Sequence, residues 1–225
     1  MKYQYCVVSY PKCGRTWLRQ MVKEYCNLDE KVETKSLYTH INYGIGGTGE
    51  NSRINYLREH PQTPKFLLTR DPADTLVSYY HDDMVRGEGN KMEGVRGDID
   101  AYCRKHLPTL MAFYRDASEY EYMYTLRYED MLEDTLGTLL PMFKIIYKDL
   151  NVRALEDAIE RCTFDKLARE EREGRVDLKV NTWHKEKGFY KTRKGKAGSA
   201  KEELKTETFN WIQEQLSNDG NQHEQ

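Results

Sequence analysis

The stretch VVSYPKCGRTWL, Val7 to Leu18, decides how the chain is read. An apolar run of strand type, Tyr5 to Val8, meets Pro11, Lys12, Gly14 and Thr16, and an amphipathic pattern of helical period starts at Trp17. That order is strand, tight loop, helix. At such a junction the first N–H groups of the helix point back at the loop and carry the positive end of the helix dipole, so an anion is stabilised there. Lys12 adds a full charge and Thr16 a hydroxyl. The spacing is not that of the common nucleotide loop G-x-x-x-x-G-K-[ST], because Lys12 precedes Gly14 instead of following it. Taken alone, the stretch fits phosphate binding and also an ordinary strand-to-helix turn.

The 225 residues suffice for one substantial core, so a single domain is expected over 1–217, with a disordered tail at 218–225. Lysine plus arginine number 35 against 37 aspartate plus glutamate, so no global field points to nucleic acid or membrane, and any basic site must be local. Five scattered cysteines, Cys6, Cys13, Cys26, Cys103 and Cys162, form no CxxC pair. They argue against a disulfide framework and a zinc site, and for a reducing compartment. The N-terminal apolar run is too short for a signal peptide, and no segment approaches about 18 apolar residues. A soluble cytoplasmic protein without membrane insertion is expected.

Along the chain, residues 3–9 read as a buried strand and 15–27 as a helix with Trp17, Leu18, Met21, Val22 and Tyr25 on one face. Residues 36–53 begin with a short strand signal and become glycine-rich loop. KFLLTR, 65–70, is a second apolar run, ended by Asp71-Pro72, where proline suits the first turn of the helix that follows. A helix is expected at 98–118, a third strand at 121–127, a helix at 129–148 interrupted at Pro141, and others at 151–161 and 200–216. Strands separated by helices imply a single α/β domain with a central parallel sheet flanked by helices, of P-loop-like architecture.

From residue 169 the apolar period fades, and between Lys179 and Lys196 seven Lys/Arg face the single acid Glu186. Within it, Arg193, Lys194, Gly195 and Gly198 combine charges that neutralise phosphate with glycines that let backbone amides approach a ligand. A solvated basic loop fits equally well. Arg70 at a strand end and Ser78 two turns into the next helix bracket the second strand–helix junction, where parallel sheets gather their ligands.

Together these residues resemble the cytosolic sulfotransferase family over most of the chain. Tyr10-Pro11-Lys12-Cys13-Gly14-Arg15-Thr16-Trp17 resembles the family's 5′-phosphosulfate loop, PKSGTTW. Arg70 and Ser78 resemble the arginine and serine that hold the donor's 3′-phosphate. Tyr128 in YEDM, Thr163 with Phe164 in RCTFDKL, and Arg193-Lys194-Gly195 in RKGKAG are similar to the remaining nucleotide-site motifs, in the family's order. The resemblance implies 3′-phosphoadenosine 5′-phosphosulfate as donor, no metal, and adenine packing by Trp17 and Phe164, the lesser alternative being core aromatics at helix starts. His40, in YTHINYG, resembles the histidine of the family's KTH motif and would be the base toward a small-molecule or glycan acceptor. A neutral imidazole, with an ordinary pKa of about 6.5, can take a proton near neutrality.

Lys12 suits the charge that builds on the departing bridging oxygen. The family pattern is broken in three places. Tyr38 stands where the family has a lysine, Cys13 replaces a serine and Arg15 a threonine. A thiol at a helix N-terminus beside cations has its pKa lowered, which would make Cys13 reactive. The family's C-terminal dimer motif is not recognisable in KEELKTETFNWI, which leaves the oligomeric state open. The rival readings are a P-loop kinase or phosphotransferase, disfavoured by the position of Lys12, and an inactive nucleotide-binding module, suggested by Tyr38.

Overall fold

Tyr5, Cys6, Val7 and Val8 expose no surface, and a strand apolar on both faces runs through the middle of a sheet. A computed structural model of the chain describes residues 3–29, 36–39, 57–86, 93–118, 120–176, 178 and 190–222. In it β1 (Tyr5–Ser9) pairs in parallel with β2 (Ser36–Thr39) on one side and β3 (Lys65–Thr69) on the other, Val7 lying opposite both Tyr38 and Phe66. β4 (Tyr124–Arg127) pairs in parallel with β3, Leu126 opposite Leu68. The order is β2-β1-β3-β4. The chain leaves β1 toward one edge and β3 toward the other, so the reversal falls between them. Such sheets bind ligands in the crevice outside the carboxyl ends of the strands at the reversal. Those two ends carry Tyr10 to Gly14 and Arg70.

Helices flank the sheet, because right-handed crossovers in opposite directions put helices on opposite faces. α1 (Arg15–Leu28) buries Leu18, Met21, Val22, Tyr25 and Cys26, the one-sided spacing of an amphipathic helix. α2 (Pro72–Arg86) packs against α3 (Ile99–Ser118). After β4 come α4 (Tyr128–Glu133), α5 (Thr135–Ile146), α6 (Val152–Arg161), α7 (Phe164–Arg172), α8 (Ala200–Glu203) and α9 (Thr206–Gln222). α1 lies on α6, α8 on α2, and α9 on α3. Tyr25 joins α1 to α5 by ring contacts with Phe143 and Tyr147, centroids 5.1 and 4.8 Å apart.

Several elements differ from expectation. The break in the helix expected at 129–148 falls at Asp134, whose carboxylate caps the Gly137 N–H at 2.8 Å. Pro141 lies inside α5, because buried Leu139, Met142 and Phe143 on either side hold the helix through it. α7 carries no helix signal in the sequence reading. It has the period Phe164, Leu167, Ala168, Glu171, and its last inward position is a glutamate. The helix expected at 200–216 is two helices, since Leu204 turns extended and buries its side chain between α8 and α9. α9 then runs to Gln222, past the apolar pattern and into the segment read as tail. All five cysteines are buried and free. Among the described residues no helix is long and apolar enough to cross a membrane, and no group of three or more His, Cys, Asp or Glu could hold a metal ion.

The two ways of holding α5 differ in strength. Phe143→Ala, which opens a cavity in the core, is expected to cost about 3–5 kcal/mol of stability. Asp134→Ala, which removes a cap, is expected to cost about 1 kcal/mol. Urea unfolding midpoints of the two variants against the unchanged chain measure the difference.

Candidate functional site

The loop between β1 and α1 is built by two left-handed residues, Lys12 at φ +72° and Gly14 at φ +94°. Only glycine fits the second position, because a Cβ there would stand 2.6 Å from the Tyr128 ring. Gly14 is also the N-cap of α1 and offers no side-chain cap, and no acid sits in the first turn. The N–H groups of Arg15 and Thr16 thus open a helix whose positive end is not countered by its own side chains. Cys13 is fully buried against Thr75, with Sγ 4.0 Å from Oγ1. Burial pushes its thiol up to about 11, outweighing the hydrogen bond from Thr75 and the Arg70 charge. The lowering that a helix terminus and nearby cations would give a thiol is therefore overridden, and Cys13 is a neutral, inaccessible thiol.

Arg70, at the end of β3, ties three parts of the site together. Its Nη1 donates to the Lys12 carbonyl at 3.2 Å and its Nη2 to the Lys196 carbonyl at 3.4 Å. The guanidinium lies 4.4 Å over the Tyr128 ring and 3.8 Å from Asp74. Its Nε is buried without a hydrogen-bond partner among the described residues. Asp74 in turn accepts from the Gly198 N–H and the Ala200 N–H, both at 2.7 Å. The first loop and the late basic segment, far apart in sequence, therefore meet on one arginine.

The aromatic residues close the same region. Trp17 donates its indole N–H to the Cys162 carbonyl at 2.7 Å and meets Tyr128 edge-on at 5.9 Å. Its contacts are thus those of a packed residue at the border of the site. Thr163 is the N-cap of α7 and makes no side-chain cap, and Phe164 begins that helix. Gly195, at φ +63°, lies so close over the Phe164 ring that a Cβ there would clash with it.

The cations are distributed over acids that the sequence did not single out. Lys12 Nζ is 3.1 Å from Asp82 Oδ1, and Lys191 Nζ is 3.5 Å from the same atom. Half-buried Ser78 lies one helical turn before Asp82 on α2, on the same face. Arg193 and Lys194 each reach Glu203 Oε1 at 2.8 Å, while His81 Nε2 lies 2.6 Å from Glu203 Oε2. Burial opposes ionisation of Glu203, but hydrogen bonds from Lys194, Arg193 and His81 outweigh it and lower the carboxyl to about 2. Burial, with the charges of Arg193 and Lys194, lowers the pKa of His81 against the opposing pull of Glu203.

Two residues of the second motif remain. His40 lies outside the described residues. Tyr38 belongs to β2, where its hydroxyl meets the Tyr5 hydroxyl at 3.0 Å and Arg19 lies 5.2 Å over its ring, so it packs as a strand residue. Contacts join Gly14, Trp17, Arg70 and the Lys12 carbonyl around Tyr128 and Arg70, and Phe164 meets Gly195 beside Arg193 and Lys194. Asp74, Asp82, Glu171 and Glu203 escaped the sequence reading, and the one local signal among them is the four-residue step from Arg70 to Asp74.

Known proteins resemble this chain in sequence and in fold. Luciferin sulfotransferase of Photinus pyralis is 24% identical over 211 residues, covering 72% of this chain and 55% of that protein. Amine sulfotransferase of Oryctolagus cuniculus is 21% identical over 191 residues, covering 72% and 62%. The chain thus spans between about half and two thirds of the length of these curated relatives. Mouse sulfotransferase SULT7A1 complexed with PAP has the same fold, with a TM-score of 0.67 at 16% identity over 93% of this chain and 81% of that one. Retinol dehydratase, in complex with androsterone and the inactive cofactor PAP, matches with a TM-score of 0.67 at 15% identity over 96% and 80%. The family model for the sulfotransferase domain matches residues 64–219, from Arg70 through Tyr128 and Phe164 to the late basic loop and α9, with the Lys12 loop lying before it. On that match over most of its length, the chain belongs to the sulfotransferase family.

Proposed function

We propose that this protein transfers a sulfuryl group from 3′-phosphoadenosine 5′-phosphosulfate to a hydroxyl or amine of a small-molecule or glycan acceptor, by in-line displacement. The observation that carries the reading is Arg70, which joins the carbonyl of Lys12 to that of Lys196 and keeps one buried N–H without a hydrogen-bond partner among the described residues. A donor with a phosphate at each end needs two anion sites at a fixed distance, and one rigid guanidinium between two loops sets such a distance.

In this reading the Lys12 loop and the first turn of α1, with Arg15 and Thr16, receive the 5′ end of the donor. Arg70, Ser78, Arg193, Lys194 and the Gly195 backbone hold the 3′-phosphate, and Trp17, Tyr128, Thr163 and Phe164 border the base. The acceptor oxygen or nitrogen forms the new bond to sulfur as the bond from sulfur to the bridging oxygen breaks. Negative charge builds on that oxygen, and the Lys12 ammonium is suited to stabilise it. The acceptor proton goes to His40. Asp82 holds the Lys12 amine at the mouth of the loop until an anion arrives, a competition between two partners for one ammonium. No sequence signal or contact in the described residues selects among acceptors, because such pockets are built from loops.

Three expected outcomes test this. Calorimetry shows binding of 3′-phosphoadenosine 5′-phosphate without magnesium and weaker binding of magnesium-ATP; the reverse preference overturns the reading in favour of a phosphotransferase. Lys12→Ala lowers the rate of nucleotide release from the donor, measured across hydroxyl and amine acceptors, by about two to three powers of ten. His40→Ala abolishes that release while leaving nucleotide affinity within about twofold, as expected for a base that touches only the acceptor.

A further inference from the structure

Residues 190–200 carry Lys191, Arg193, Lys194 and Lys196, a run of like charge with two glycines, which in isolation repels itself and samples many conformations. Two buried carboxylates hold it. At its far end, fully buried Asp74 accepts from Gly198 and Ala200, as described above. At its near end, Glu171 on α7, 1% exposed, accepts from the Lys191 N–H at 2.8 Å, the Thr192 N–H at 3.0 Å and the Thr192 hydroxyl at 2.7 Å. The same helix touches the segment twice more, through Arg172 stacked 5.6 Å from the Tyr190 ring and Phe164 under Gly195. Phe164 and Glu171, seven residues apart, lie on one face of α7.

We infer that Glu171 is a positioning residue for nucleotide binding: with Asp74 it holds residues 191–200 in the binding arrangement before any ligand arrives. This rests on the nucleotide reading given above. The anchored amides belong to positions 191, 192, 198 and 200, so Arg193, Lys194 and the Gly195 backbone are left spanning the gap between the clamps. The ordering cost of a flexible basic loop is then met on folding instead of on binding. A carboxylate suits both ends of such a segment, since it accepts several N–H groups at once and offsets the local positive charge. The hydrogen bonds of Glu171 go to Lys191 and Thr192, neither assigned to phosphate or base, whereas Asp74 also pairs with Arg70, so Glu171 is the cleaner probe.

The test compares the unchanged chain with Glu171→Ala and Glu171→Gln, using 3′-phosphoadenosine 5′-phosphate as probe, calorimetry for affinity and amide hydrogen exchange for the loop. In the unchanged chain the amides of 191, 192, 198 and 200 are protected without nucleotide. In Glu171→Ala those of 191 and 192 lose protection, regain it when nucleotide is added, and affinity falls about tenfold or more while β1 and β3 stay protected. Glu171→Gln, which keeps the shape and one acceptor oxygen, is intermediate, and it serves alone if the alanine variant does not fold. Unchanged affinity in the variants, or loss of protection throughout the sheet together with affinity, overturns the positioning role while leaving the nucleotide reading standing. Failure of the unchanged chain to bind the probe overturns the nucleotide reading and this inference with it.

Discussion

The guanidinium of Arg70 is the contact on which the site depends. It sits where the strand order reverses, bonds the backbone of the first loop and of the late basic loop, lies over Tyr128, and faces the carboxylate that anchors residues 198–200. A flat cation with donors on three edges in a fixed fork can do this, whereas an ammonium on a flexible stem carries its donors at a single point and does not fix the spacing of its partners. Its carbonyl is held by the Tyr114 hydroxyl at 3.2 Å, so α3 fixes the backbone from which the side chain projects.

Electrostatics around that arginine follow a simple pattern. Lys12, Arg70 and Lys191 face acids of α2, and Arg193, Lys194 and Lys196 face acids of α8. A neutral overall charge is thus maintained locally, and a dense group of Lys and Arg is kept folded. In proteins that bind polyanions the same cations must later be shared with a ligand, and carboxylates at hydrogen-bond distance set how strongly they are held beforehand. Cys13 shows the other side of this environment. It has the position of an activated thiol but sits on the apolar side of the loop, and burial decides its protonation.

Much of this was legible in the sequence, for physical reasons that can be named. β1 is a continuous apolar run because it is buried on both faces. α1 shows its stripe because one face meets the core. The loops after β1 and β3 carry glycine or Asp-Pro, which mark the strand–helix turns directly. α7 was missed because its pattern is short and ends on a buried glutamate, which breaks the apolar period while still facing inward. The Pro141 break was misplaced because a capping aspartate is a weaker printed signal than proline, yet packing decides where a helix stops.

The sequence by itself determined two strand–loop–helix units, a parallel α/β sheet, and the residue types of an anion site, since each follows from local periodicity and turn chemistry. Only the tertiary structure decided what those residues do to one another: that Lys12 meets Asp82, that Arg193 and Lys194 meet Glu203, that Cys13 stays a thiol, and that Glu171 and Asp74 hold the late loop. Most of these pairs join elements distant in the chain, Lys12 and Asp82 being 70 residues apart, and local periodicity does not encode such a partner. Their geometry exists only after β1 and β3 have placed their carboxyl ends side by side.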